Sequence, residues 1–203
     1  MTTEQTAAVE RTSRHLLKAW LDDALAMENA LAVVLQHRIK DSKDFPEVQK
    51  LDREHLQETL QHAEMVKRAI TRLGEKPSTA KSMFGTVFGT LQAPMTGLAK
   101  DEVVKNFLVD HAAEQFEVAS YRALIVAARE VGETETAEAC EKIMAEDQAM
   151  ADRLMELLPI VVKAHMGTLS AVPAGTASSG EMMGQPAEEK KPAVTSQAQG
   201  EGA

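Results

Sequence analysis

The sequence predicts an all-α protein: a four-helix bundle with one long crossover and a disordered C-terminal tail. Three observations predict it. Four stretches of roughly 25 residues place apolar residues at alternating spacings of three and four, the repeat of a helix burying one face. Gly and Pro fall between these stretches and not inside them. No segment shows the strict alternation of a half-buried strand.

The first helix is expected over residues 12–40, which hold neither Pro nor Gly. A break follows at Asp41-Ser42-Lys43-Asp44-Phe45-Pro46. Pro46 suits the first helical position of the next element, with Asp44 as its cap. The second helix then runs over 47–73 and stops at Gly74, a residue free to turn left-handed after the last turn. Residues 74–97 are rich in Gly, Pro, Ser and Thr, yet contain Met83, Phe84, Val87, Phe88 and Leu91. They read as a packed crossover with a short helix over 82–91. The third helix is expected over 100–131, ending at Gly132. The fourth runs from just after Thr134 to Leu158, where Pro159 stops it, with a short extension over 161–166. The bundle domain is therefore residues 1–166. Residues 167–203, mostly Gly, Ala, Ser, Pro, Gln and Glu, have too little apolar surface to offset their ordering entropy and form the disordered tail.

Composition narrows the function classes. The 203 residues include 31 acidic and 22 basic side chains, a formal charge of −9. With no clustered Lys and Arg and only 3% aromatics, nucleic acid is not the expected partner. No run of eighteen or so apolar residues offers a membrane span, and residues 1–15 lack the apolar core of a signal peptide. The single cysteine, Cys140, makes no intramolecular disulfide and no thiolate cage, which fits a cytoplasmic protein.

The chemistry lies in the seams. Following the buried stripe of each helix gives Leu17, Leu21, Ala24, Glu28, Leu31, Leu35 in the first. The second gives Val48, Leu51, His55, Glu58, His62, Met65, and the third Val103, Phe107, Asp110, Glu114, Glu117, Tyr121. The fourth gives Ala139, Ile143, Glu146, Met150, Leu154. Each apolar stripe is interrupted by a carboxylate near its middle. One seam Glu is usually a rim residue. Four at matched depth demand a compensating cation, because a buried unpaired carboxylate costs several kcal/mol. Lys and Arg are absent from these seam positions. The simplest compensation is a metal ion or pair held by Glu28, Glu58, His62, Glu117 and Glu146, with Glu114 and His55 as further ligands. Carboxylate oxygens mixed with imidazole suit iron first and manganese as the alternative. An internal repeat supports the arrangement: Glu28 and Glu58 stand 30 residues apart, Glu117 and Glu146 29 apart.

The chain resembles the YciE/YciF type of bacterial ferritin-like stress protein. The likeness is carried by Leu21-Asp22-Asp23-Ala24-Leu25-Ala26-Met27-Glu28, by His55-Leu56-Gln57-Glu58-Thr59-Leu60-Gln61-His62, by Leu73-Gly74-Glu75-Lys76-Pro77 and by Glu114-Gln115-Phe116-Glu117-Val118-Ala119-Ser120-Tyr121. A single long crossover is also the ferritin-like connectivity. The resemblance implies a homodimer and a metal site of one Glu on the first and third helices and Glu-x-x-His on the second and fourth. This chain departs from that pattern. Its second helix spaces Glu58 and His62 by four, and after Glu146 the fourth helix offers Ala149 and Met150 instead of histidine. Asp147 is adjacent to Glu146 but stands about 100° around the helix, so Glu114 is the expected substitute ligand. His15, His37, His111 and His165 read as surface or rim residues, and Tyr121 as core packing or a redox neighbour of the metal.

Two functions remain open. One is a metal protein that oxidises ferrous iron with oxygen or peroxide. The other is a non-enzymatic helical stress or interaction protein with a degenerate or empty site. The composition of the tail generates a test of the domain boundary: deleting the residues after Gly167 leaves the midpoint of thermal unfolding, followed by circular dichroism, within a few degrees of the full chain.

Overall fold

In the computed structural model, residues 2–78 and 102–171 are described, and among them all regular structure is helical. Helix α1 spans Thr3–Asp41, α2 Pro46–Arg72, α3 Glu102–Glu130 and α4 Thr134–Ala171. The expected short helix over 82–91 lies outside the described residues.

Local sequence explains most of the boundaries. Thr2 and Gln5 form a reciprocal capping box, so α1 starts nine residues before the expected start at residue 12. Pro46 opens α2 at its first turn as expected, where a missing N–H costs nothing. The N-cap is Phe45, and no side chain, Asp44 included, caps this end. Gly74 (φ 80°) and Gly132 (φ 76°) end α2 and α3 in the left-handed region. Helix α4 departs from expectation: it runs through Pro159 and past Gly167 to Ala171. Proline removes one backbone hydrogen bond. Beyond it, Val161 is buried in an apolar cluster with Val48, Phe107 and Leu154, and that packing holds the next turn.

Pairings along the helices give the topology. Arg14 (Nη1) meets Glu133 at 2.6 Å and Arg38 meets Asp110 at 3.2 Å, so α1 and α3 are antiparallel. Arg72 meets Glu135 at 3.2 Å and Arg153 meets Glu54 at 2.5 Å, so α2 and α4 are antiparallel as well. Helices α1 and α2 form one hairpin, α3 and α4 the other. The end of α2 and the start of α3 consequently lie at opposite ends of the bundle, the ferritin-like connectivity.

Along α2, α3 and α4 the interior is layered. One apolar cluster, with Val48, Leu51, Phe107, Met150 and Leu154, fills the end near the α1–α2 turn. A larger one, with Leu17, Leu21, Val66, Ile70, Leu124 and Ile143, fills the rest. Between them lies a layer of buried polar side chains.

One edge of that layer is neutralised by the chain itself. Arg38, on the inner face of α1, is buried and bonds both oxygens of Asp110 at 3.2 Å. The seam positions read from the sequence hold no Lys or Arg, but the stripe of α1 continues past them to Arg38, which follows Leu31 and Leu35 by whole turns. Beside the pair, Ser42 Oγ stands 2.6 Å from Asp52 Oδ2 and 2.8 Å from the Arg38 carbonyl. A hydroxyl has one proton. It donates to Asp52 or to the carbonyl, not to both at once. Burial pushes Asp52 up to about 6, against the lowering effect of the Ser42 hydrogen bond.

Two outcomes follow. Arg38→Met alone destabilises the protein by about 3–5 kcal/mol, because Asp110 is left buried and unpaired. Adding Asp110→Leu recovers most of that loss in urea unfolding. The folded-state pKa of Asp52 lies above the unfolded value near 3.9. The native state therefore holds the proton more tightly, and stability falls as pH rises from about 4 to about 6. Asp52→Asn removes the charge at this position. It stabilises the protein by on the order of 2 kcal/mol at pH 7.5 and has little effect at pH 4.

Candidate metal centre

The buried polar layer gathers donors from all four helices. Helix α1 contributes Glu28, α2 His55 and His62, α3 Glu114, Glu117 and Tyr121, and α4 Asp147, all buried. Oxygens of Glu114, Glu117 and Asp147 lie within 4.8 Å of one another. Glu114 and Glu117 share a face because three residues return nearly one helical turn.

Fixed contacts orient the outer atoms of this group. The Tyr121 hydroxyl donates to Glu28 Oε1 at 2.5 Å. His55 Nε2 lies 2.7 Å from Glu114 Oε1. His62 Nδ1 is 3.4 Å from Asp147 Oδ1 and 3.8 Å from Glu28 Oε1, and its Nε2 is 3.1 Å from Glu146 Oε2. Glu28 Oε2, Glu117 Oε1 and Asp147 Oδ2 are buried without a hydrogen-bond partner. Buried polar atoms are normally satisfied, so three orphaned carboxylate oxygens in one layer need a physical reason.

The electrostatics carry the same message. Burial pushes Glu28 up to about 8, against the lowering effect of the Tyr121 hydrogen bond. Burial and then the Glu28 charge push Asp147 up to about 10 and Glu117 well above the carboxylate range. Burial also lowers His62, so the neutral imidazole is favoured. For His55, burial opposes the charge, but Glu114 outweighs it and the pKa is raised. The bare carboxylates cannot all be ionised together. A divalent cation among them reverses that, since it stabilises every charged form at once. The donor set fits such an ion: several carboxylate oxygens, a neutral imidazole and no thiolate match iron or manganese.

The structure divides the sequence-predicted residues. Glu28, Glu114, Glu117, His55 and His62 come together in the buried layer. Glu58 and Glu146 do not. Glu58 is half-buried, and Thr59 takes the buried place beside it. The Glu146 side chain is 37% exposed, and Lys142 Nζ donates to both of its oxygens at 2.7 and 2.9 Å. Burial would raise its pKa, but the Lys142 and His62 hydrogen bonds outweigh that and lower it. The buried carboxylate of α4 is Asp147, which helical geometry read from Glu146 had turned away. The 30-residue repeat offered no signal for it, since the residue 30 beyond Glu28 is the half-buried Glu58. Two residues read as rim histidines make backbone contacts: His37 Nδ1 lies 2.8 Å from the Val33 carbonyl and His111 Nδ1 3.2 Å from that of Ala151.

Comparison with known proteins places this geometry. The family model described as Domain of unknown function (DUF892) matches residues 12–166. A solved protein from Xanthomonas campestris pv. campestris is 34% identical, with a TM-score of 0.67 over 78% of this chain and 99% of its own. The Escherichia coli stress protein YciF is 18% identical, with a TM-score of 0.64 over 74% of this chain and 97% of its own. A bacterioferritin from Desulfovibrio desulfuricans, described with a diiron site, is 21% identical, with a TM-score of 0.65 over 90% of this chain and 98% of its own. At these lower identities the last two show the ferritin-like fold.

The contrast between Asp147 and Glu146 is testable without metal. In chelator-stripped protein at pH 7.5, Asp147→Asn raises the midpoint of thermal unfolding by several degrees, because it removes a buried acid among like charges. Glu146→Gln, at a half-exposed and paired position, leaves the midpoint within about a degree, as expected for a surface substitution.

Proposed function

Since the chain belongs to the DUF892 family and is a ferritin-like protein of the YciF type, we propose that it is a metal-binding protein whose buried carboxylates hold iron or manganese. The observation that carries this reading is the set of orphaned oxygens on Glu28, Glu117 and Asp147, buried together with no Lys or Arg of the described residues among them.

In this reading Glu28, Glu114, Glu117, Asp147 and His62 are the ligands. His55 and Tyr121 hold Glu114 and Glu28 from behind and so aim the remaining oxygens inward. Glu58 and Glu146 stand at the rim. Apolar layers on both sides exclude bulk water, which strengthens every charge interaction inside. The bound metal would supply one-electron chemistry toward oxygen or peroxide, with ferrous iron as substrate. The chain's part is to surround the ion with negative charge, which favours the higher oxidation state, and to limit access to it.

A bacterial stress role and a homodimer complete the proposal, both from the family resemblance. Leu16, Trp20 and Val126 expose apolar surface on α1 and α3. A cavity of about 270 Å³ between these helices, lined by Trp20, Met27, Ala123 and Leu124, adds to it. That face is the one a second copy would cover. Light scattering over micromolar concentrations should give twice the chain mass, and a monomer throughout would remove the dimer.

The alternative, a helical interaction protein with an empty site, has one observation on its side. One turn beyond Asp147 the chain has Met150 and Ala151, both buried, where a second histidine would stand. Metal analysis of protein purified under iron and under manganese supply decides between the two. Stoichiometric metal that is lost in Glu117→Ala is the expected result. Metal-free protein under both supplies, which also fails to take up ferrous iron anaerobically, would leave the interaction reading.

A further inference from the structure

The buried layer is closed on most sides. Met27 and Leu31 shield it along α1, and Tyr121 covers Glu28 from α3; all three are buried. Toward one end of the bundle stand Ile70 and Ile143, also buried. Toward the other, beyond His55, the buried Arg38–Asp110 pair fills the interior. The α2–α4 edge differs. There exposure falls in steps along a row of donors, from Glu146 (37%) through His62 (5%) to Asp147 (2%) and Glu28 (0%). The separations are 3.1 Å from Glu146 to His62, then 3.4 Å to Asp147 and 3.8 Å to Glu28. Half-buried Glu58 adds negative charge beside the row, close enough to interact with Glu146.

We propose that divalent cations enter across the α2–α4 edge, with Glu146 as the outer capture carboxylate, Lys142 as its resident competitor and His62 as the relay inward. This rests on the metal-binding reading above. His62 has one ring nitrogen toward each side: Nε2 faces the half-exposed Glu146, and Nδ1 faces the buried acids. A cation exchanged from Glu146 to the imidazole and on to Asp147 moves between donors a few ångströms apart, behind which lie the orphaned oxygens of Asp147 and Glu28. Lys142 occupies both oxygens of Glu146 through its own ammonium. A metal ion must displace that ammonium first, so Lys142 slows loading without belonging to the final site.

The test uses full-length protein stripped with a chelator and mixed rapidly with Co²⁺, whose ligand-field absorption reports binding. Lys142→Gln should load faster than wild type, and Glu146→Gln slower, each by roughly threefold or more. The final absorbance should be the same in all three. Lys163→Gln, an equal charge change at an exposed position far along α4, should load at the wild-type rate. Unchanged rates in both edge variants would overturn the route while leaving the metal site standing. A reduced final absorbance in Glu146→Gln would overturn it too, by making Glu146 a ligand. Wild-type protein that takes up no Co²⁺ would remove the metal-binding reading itself.

Discussion

The interior of this bundle is organised around an electrostatic debt. Four acids, Glu28, Glu114, Glu117 and Asp147, are withdrawn from water in a single layer. Isolated carboxylates in such a medium either protonate or acquire a cation. The chain's buried guanidinium, Arg38, is committed to Asp110 at the margin of the layer. Among the described residues, the centre has the two histidines beside its acids. Apolar residues elsewhere can be exchanged for others of similar volume, but the acids of this layer cannot all be ionised together without a cation.

The rest of the structure holds that layer in place. Apolar clusters above and below it supply the burial that makes the bundle cohere, and they also set the low dielectric that makes the acids costly. Tyr121 and His55 each fix one carboxylate, so the acids present defined oxygens and do not collapse onto backbone donors. Stability and chemistry therefore pull in opposite directions at the same residues, as is common where a site is built into a core.

The two hairpins are related by the 30-residue spacing but are chemically unequal. The first gives Glu28 with His55 and His62. The second gives Glu114, Glu117 and Asp147, with Met150 and Ala151 where imidazole would balance the pattern. Nitrogen donors come from α2 alone and most of the buried acid from α3 and α4. The layer is lopsided, and its outer edge, where α2 meets α4, is also the edge at which charged side chains reach solvent. The ferritin-like fold shared with YciF and bacterioferritin accounts for the position of the layer. The lopsidedness belongs to this chain's own residues.

Periodicity by itself determined the four helices, their pairing into hairpins and the presence of carboxylates at mid-depth, because an apolar stripe interrupted by acid is visible in one dimension. Pro46, Gly74 and Gly132 marked their boundaries for the same local reason. What the sequence left undecided was rotation and partnership. Glu146 and Asp147 are neighbours in the chain, and which of them faces inward depends on how α4 is turned against α2 and α3. The stripe was right on both sides, at Ile143 and Met150, and what one dimension could not decide was whether the step inward from Ile143 is three residues or four. Glu58 lost its buried place to Thr59 in the same way. The stripe drawn for the first helix stopped at Leu35, one turn short of Arg38, whose burial depends on Asp110 of α3. Pro159 looked like a stop until Val161 found a buried place beyond it. In each case the deciding energy comes from a side chain on another helix, and no reading of one helix alone contains it.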